Sequence, residues 1–330
     1  MTAEEYLPIL ATRQSAVGRA VQEKTPSSVC QVMRFVEFIL GVVAEVSVAE
    51  ISGGIVPLHQ TVGGDPSTFT YTCGCPTLDT VLPLLPGTIT AVSGAAGCGK
   101  TQLALQCLME TIVRGLVRNV ETKCIYLVSE DVPIARLGPL AHGALVRNSE
   151  TEDPPHFTVE RVLSQLQIKK ISDLDSLIHL FTSDTLRTVV GGKDRQGIVV
   201  LDSIAAVVQN AADDASENAH EWSAQSEKIS LLGSLIVKFL DHQRQMCLVV
   251  TNQIRTAPRP QLSYLKRRRP GPEYVDVAAL GIGWAVFPHH HVMLSKSKHS
   301  NRRMCVLHAS PSMGPGKVHF TITNDGLERE

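Results

Sequence analysis

The sequence predicts an α/β fold: a mostly parallel, twisted sheet with helices on both faces, plus a small N-terminal helical region. Three observations carry this reading. Largely apolar runs of strand length (Thr88–Ser93, Cys124–Val128, Ile198–Leu201 and Met246–Val250) alternate with stretches of helical periodicity. Strands buried on both faces read as continuous apolar runs, and helical crossovers between them make their sheet parallel. The runs are followed by Gly94, Glu130, Asp202 and Asn252, at the carboxyl ends of strands where such a sheet collects its functional groups.

Taken in order, residues 3–55 carry Val29, Val32, Met33, Val36, Ile39 and Leu40 at helical spacing. Thr25-Pro26-Ser27-Ser28 supplies a helix start and Gly53-Gly54 a stop. Residues 1–56 thus read as a small helical region. Residues 57–71, with Gly63-Gly64-Asp65-Pro66-Ser67, read as a linker, and residues 72–330 as one α/β domain. Helices are expected from Lys100 to about Arg118, from Asp173 to Val189 and from Ser226 to Arg244. Leu163–Ile168 reads as a further strand, Asn148–Pro155 as a loop and Gly191–Asp194 as a turn. Arg255–Pro272 reads as a Pro- and Arg-rich loop. Val292–Leu294, Met304–Leu307 and His319–Ile322 read as edge or antiparallel strands.

Bulk properties exclude several classes. At 43% hydrophobic and 19% charged residues the chain is an ordinary globular one. A formal charge of −1 gives no global basic field, so any nucleic-acid contact must come from local patches. No run reaches the ~18 apolar residues of a membrane helix, and the acidic start Glu4-Glu5 lacks a signal-peptide pattern. Cys73 and Cys75 are the only close cysteine pair. Cys107, Cys124, Cys247 and Cys305 sit in apolar runs and read as reduced core residues of an intracellular protein.

The stretch Gly94-Ala95-Ala96-Gly97-Cys98-Gly99-Lys100-Thr101 fits G-x-x-x-x-G-K-[ST], the phosphate-binding P-loop. Its glycines let the backbone approach an anion without a Cβ in the way. Inward N–H groups and the following helix N-terminus attract negative charge. Lys100 reaches the outer phosphates, and the Thr101 hydroxyl ligates Mg²⁺. Asp202, after four apolar residues, either holds that Mg²⁺ through water or caps the next helix. Glu130 either orients an attacking water or is a surface acid beside Asp131. Asn252 and Gln253 either sense the γ-phosphate or form a turn. The run Lys266-Arg267-Arg268-Arg269 is a DNA contact, an import signal or a solvated loop. In His289-His290-His291, neighbouring side chains point to opposite faces, so the three do not converge on one ion.

The order of these strand ends resembles the RecA-family ATPase core. The wording is closer to the eukaryotic recombinase paralogues. Cys73–Asp79, Gly99–Gln106, Tyr126–Asp131, Leu201–Ala206, Ala279–Ala285 and Cys305–Pro311 look like the X-ray-repair cross-complementing group three type. The resemblance covers roughly residues 72–326. It implies ATP and Mg as cofactors, with Gly94, Ala95, Ala96, Gly97, Cys98, Gly99, Lys100, Thr101 and Gln102 holding the nucleotide. Arg136 would lie over the adenine, one residue nearer Glu130 than is usual in the family. Glu130 would activate water, with Lys100 and Gln253 in the catalytic set and Gln253 coupling the γ-phosphate to the next loop. Thr101, and Asp202 through water, would serve the metal.

The departures from the family pattern are specific. The first candidate DNA loop carries Asp213, Asp214 and Glu217, which repel phosphate, while the second carries Lys266–Arg269. Ala309 stands before Ser310-Pro311, where active recombinases usually have Asp, and no clear Phe-x-x-Ala motif lies between Ile51 and Tyr71. The resemblance therefore implies an assembly factor for homologous-recombination DNA repair, with low DNA-dependent ATPase activity. Its partners would be another recombinase paralogue or recombinase subunit in a hetero-oligomer, and single-stranded or branched DNA, with no membrane. Its place would be the nucleus, with room for a cytoplasmic pool. The alternatives are a non-catalytic adaptor clamped by ATP and a P-loop small-molecule kinase; against the latter, no lid-like arginine cluster closely follows the P-loop helix.

Overall fold

The computed structural model describes residues 69–149, 157–183, 185–192, 195–210, 219–258, 274–297 and 300–330. The expected helical region 1–56, most of the linker, the acidic residues Asp213, Asp214 and Glu217, and the basic run Lys266–Arg269 lie outside these residues.

Along the chain come α1 (Pro76–Asp79), β1 (Ile89–Gly94), α2 (Lys100–Val117), β2 (Thr122–Val128), α3 (Ile134–Arg147), α4 (Val159–Leu163) and β3 (Leu166–Lys170). Then follow α5 (Leu174–Thr182), α6 (Thr185–Val190), β4 (Gln196–Asp202), α7 (Ile204–Asn210), α8 (Ala219–His242) and β5 (Met246–Asn252). The last third holds β6 (Ile254–Pro258), β7 (Tyr274–Ala278), α9 (Gly281–Ala285), β8 (His290–Lys296), β9 (Arg303–Ala309), β10 (Gly316–Ile322) and β11 (Leu327–Arg329).

Nine strands form one sheet in the order β11-β10-β9-β8-β1-β5-β4-β2-β3. From β3 to β8 every pairing is parallel, and β9, β10 and β11 extend the sheet antiparallel. This is the α/β architecture that the alternating apolar runs predict. β1 is central, between β5 and β8, so the loop that leaves it opens over the middle of the sheet.

The period-2 alternation of the strands divides the core. Ile198 and Val200 of β4 pack with α2 residues such as Leu103 and Leu108. Val199 and Leu201 pack on the other face with Leu177 of α5 and Leu232, Ile236 and Phe239 of α8. Cys73, Cys75, Cys98, Cys107, Cys124, Cys247 and Cys305 are free and buried. Burial pushes the Cys124, Cys247 and Cys305 thiols up to about 12, as expected of core thiols. Among the described residues no helix is long and apolar enough to cross a membrane.

Several elements depart from expectation. The stretch Leu163–Ile168 holds the end of α4 and the start of β3, and the rest of β3 is exposed at the sheet edge. The expected helix Asp173–Val189 is two: Asp173 caps the first by accepting from Ser176 N at 2.7 Å, and Ser183 ends it in an extended conformation. α3 forms although Pro139 lies inside it, because Leu137, Leu140, Ala141 and Ala144 are buried and packing outweighs local propensity. Residues 255–258 are strand rather than loop, paired antiparallel with β7. β8 is antiparallel to β9, as expected, but it lies inside the sheet and also pairs in parallel with β1.

Candidate functional site

The site grows from the end of β1. Gly94 is packed so closely that a methyl built on it would stand 2.5 Å from Leu294 O and 2.6 Å from Cys98 Sγ. Ala95, Ala96 and Gly97 then rise to the surface, while Cys98 turns inward beneath them. Gly97 has φ +73° and Gly99 φ +106°, conformations that glycine adopts at little cost. Gly99 is the N-cap of α2 and offers no side-chain cap, so the helix's first N–H groups remain for an anion. Lys100 folds back over this loop: its Nζ donates to Gly94 O at 2.8 Å and Ala95 O at 3.0 Å.

Beside the loop lies a cavity of about 510 Å³, large enough for a nucleotide-sized ligand. Gly97, Gly99, Lys100, Thr101, Gln102 and Arg136 line one part of it. Arg136, from α3, donates through Nε to Gln102 Oε1 at 2.8 Å and through Nη2 to Thr323 O at 3.0 Å. The remaining lining comes from Arg303, Ile322, Thr323 and Asn324. Sequence reasoning missed these four, about 200 residues downstream of the loop. The signal that could have found Arg303 is its place in the inward row Arg303, Cys305, Leu307 of β9, where an apolar residue is the norm.

Asp202 ends β4 and is 8% exposed. Its Oδ1 accepts from Thr251 Oγ1 at 2.5 Å and its Oδ2 from Tyr126 OH at 3.1 Å. It does not cap α7; Ser203 does, accepting from Ala206 N at 3.3 Å. Ser129 at the end of β2 donates to Asp202 O through both N and Oγ, at 2.9 and 3.2 Å. Its Oγ also accepts from Ser203 N at 2.9 Å across the cis Asp202–Ser203 peptide. Burial, then the Asp202 carboxylate, then Glu130 raise the Tyr126 phenol well above its ordinary value. Glu130 and Asp202 thus act on one phenol. Glu130 itself is exposed, and its neighbour Asp131 turns to Lys170 Nζ at 3.0 Å.

Asn252 is 1% exposed and fully engaged. Its Nδ2 donates to Ala279 O at 3.0 Å, and its Oδ1 accepts from Gln253 N at 2.9 Å. Gln253 O accepts from Ala279 N at 2.8 Å. Asn252 therefore fastens β5 to the chain leaving β7, and Gln253 stands where β5 hands over to β6. The histidines are structural: His289 Nδ1 accepts from Ile89 N at 3.1 Å, and His290 Nδ1 lies 3.0 Å from Ser310 Oγ. Among the described residues no group of three or more His, Cys, Asp or Glu is placed to hold a metal ion.

A family profile described as Rad51 matches residues 66–330. "DNA repair protein RAD51 homolog 2" of Homo sapiens is 26% identical over 266 residues, 73% of this chain and 63% of that protein. "DNA repair protein XRCC3" of Mus musculus is 30% identical over 219 residues, 64% of this chain and 59% of that protein. "DNA repair protein XRCC3 homolog" of Arabidopsis thaliana is 26% identical over 312 residues, 84% of this chain and 98% of that protein. The chain thus spans about three fifths of the human and mouse relatives. Among solved structures, the crystal structure of the RadB recombinase superposes with a TM-score of 0.54 at 20% identity, covering 79% of this chain and all of that one.

Proposed function

The chain belongs to the Rad51 family, and on that premise we propose that it is an ATP-binding, slowly hydrolysing paralogue that assists recombinational DNA repair. The observation that carries the reading is the loop from Gly94 to Thr101. Two glycines at positive φ leave its N–H groups and the start of α2 uncapped, and the Lys100 ammonium rests on two loop carbonyls it can exchange for phosphate oxygens. These residues fit a nucleoside triphosphate with Mg²⁺. When bound, it supplies a γ-phosphoryl group and the metal charge that offsets its oxygens.

The chain's own residues then divide the work. Gly94, Ala95, Ala96, Gly97, Cys98, Gly99 and Gln102 hold the nucleotide, Lys100 neutralises its outer phosphates, and Arg136 bounds the base end. Thr101 and Asp202 are the residues that would hold the metal, Asp202 through water. Glu130 accepts a proton from water at its carboxylate. Gln253 stands at the hinge between β5 and β6 and passes the state of the site to the loop beyond.

We place the chain among the paralogues rather than with one type, because XRCC3 and RAD51 homolog 2 relatives resemble it at comparable identity. The small-molecule kinase alternative falls with the Rad51 match over residues 66–330. We assign the protein a hetero-oligomer with another paralogue or recombinase subunit, DNA contact through Lys266–Arg269, and the nucleus as its place of work. Ala309 keeps the ATP-clamped adaptor as the second reading, since it offers no carboxylate toward a neighbour.

Turnover with and without single-stranded DNA tests the proposal. Glu130→Gln retains nucleotide binding and loses most hydrolysis, about 100-fold. Hydrolysis at the wild-type rate in this variant removes Glu130 from catalysis. Tight ATP binding with no turnover in the wild type selects the adaptor.

A further inference from the structure

Among the described residues, one buried Lys or Arg stands outside the nucleotide-binding set named above. Arg303 opens β9 and is only 8% exposed. It heads the inward row whose other members, Cys305 and Leu307, join the core beneath α2. Its side chain reaches the P-loop: a methyl built on Gly99 would stand 3.6 Å from both Arg303 Cδ and Nε. Nη1 donates to Asn301 O at 2.8 Å and to Asn301 Oδ1 at 2.7 Å. Nε is buried with no hydrogen-bond partner, and among the described residues no carboxylate pairs with the guanidinium. A buried charge left so is costly unless a counter-charge arrives. Its field already reaches the loop, since Lys100 and, more weakly, Arg303 draw down the Cys98 thiol against the larger upward push of burial.

We propose that Arg303 is a nucleotide-binding residue whose Nε–H donates to an α-phosphate oxygen of a nucleoside di- or triphosphate seated on the P-loop. This rests on the nucleotide reading above. The α-phosphate is singled out because Arg303 abuts Gly99, which opens the helix on which the inner phosphates rest, while Lys100 is committed to the outer two. Arginine suits the task. Asn301 holds Nη1 of a planar guanidinium, so the group's orientation is fixed before the ligand arrives.

Titration calorimetry with Mg-ATP and Mg-ADP tests the assignment on the full chain, with wild type, Arg303→Gln and Lys100→Ala side by side. Arg303→Gln weakens both nucleotides by the same factor, about ten- to a hundredfold, because both carry the α-phosphate. Lys100→Ala weakens ATP more than ADP. Unchanged affinity in Arg303→Gln overturns the proposal, and so does a loss confined to ATP, which would put the guanidinium at the γ-phosphate. A wild type that binds neither nucleotide overturns the P-loop reading itself. Melting without nucleotide checks folding. If Arg303→Gln does not fold, Arg303→Lys decides: it keeps the charge but has no donor at the Nε position. An equal loss for ATP and ADP supports the contact, and no loss overturns it.

Discussion

Glu110 is 1% exposed on α2, and its carboxylate accepts from Arg147 Nε at 2.6 Å and Asn148 Nδ2 at 2.9 Å. Removing one member of such a pair strands the other in the core. Glu110→Ala should destabilise the protein by about 3–5 kcal/mol, read as a lower urea midpoint at unchanged slope; a shift under ~1 kcal/mol would show that Arg147 finds solvent instead. The histidines set a pH limit. Burial, then repulsion from neighbouring histidines, holds His290 and His291 down to about 3, and burial holds His308 down to about 4. Above pH 6.5 these rings are neutral whether folded or not, and stability is undiminished. As pH falls below 6.5 the unfolded chain takes up protons the native state refuses. Each ring then costs up to about 1.4 kcal/mol per pH unit, levelling off near pH 4 for His308 and pH 3 for the others. Urea midpoints should therefore fall steadily between pH 6.5 and 5. A flat profile there contradicts the burial of these rings.

At the scale of elements, the ends of β2, β4 and β5 are locked side by side through Asp202. Thr251→Val keeps the shape of β5 but withdraws the hydroxyl from Asp202 Oδ1. It should cost about 1–3 kcal/mol, measurable by urea unfolding; no change would mean that water replaces the hydroxyl freely. How legible each element was follows from its burial. β1, β2, β4 and β5 were readable because burial on both faces demands uninterrupted apolar runs. β3 was blurred because an edge strand tolerates Gln167, Lys169 and Lys170. α3 was missed because Pro139 interrupts a pattern that only its packing on α2 explains. The run Arg255–Pro258 reads as loop by composition, yet it pairs with Tyr274–Ala278, a partner no local pattern names. The strand, loop and helix around Gly94–Thr101 were legible, since their pattern is local; the Arg303 side of the cavity was not, since only sheet register brings β9 to α2.

In the whole molecule, α2 is where the ends of the domain meet. Gln106 donates through Nε2 to Cys73 O at 2.6 Å and accepts at Oε1 from Leu327 N at 2.6 Å. One side chain on the P-loop helix thus joins the start of the sheet domain to its last strand. Tyr71 adds a second tie, donating to Gln245 O at 2.5 Å and accepting from Gly197 N at 2.8 Å. The cavity beside the Gly94–Thr101 loop is walled by that loop, by Arg136 of α3 and by Arg303 and Ile322–Asn324 near the C-terminal end of the sheet, so a ligand there would stabilise the fold as a unit. Everything proposed for this chain descends from that ligand. The direct measurement is titration of Mg-ATP into wild type and Lys100→Ala, with calorimetric detection. The account predicts saturable binding by the wild type and a loss of about a hundredfold or more in the variant, its melting temperature without nucleotide unchanged. Equal affinity in the two proteins would contradict it.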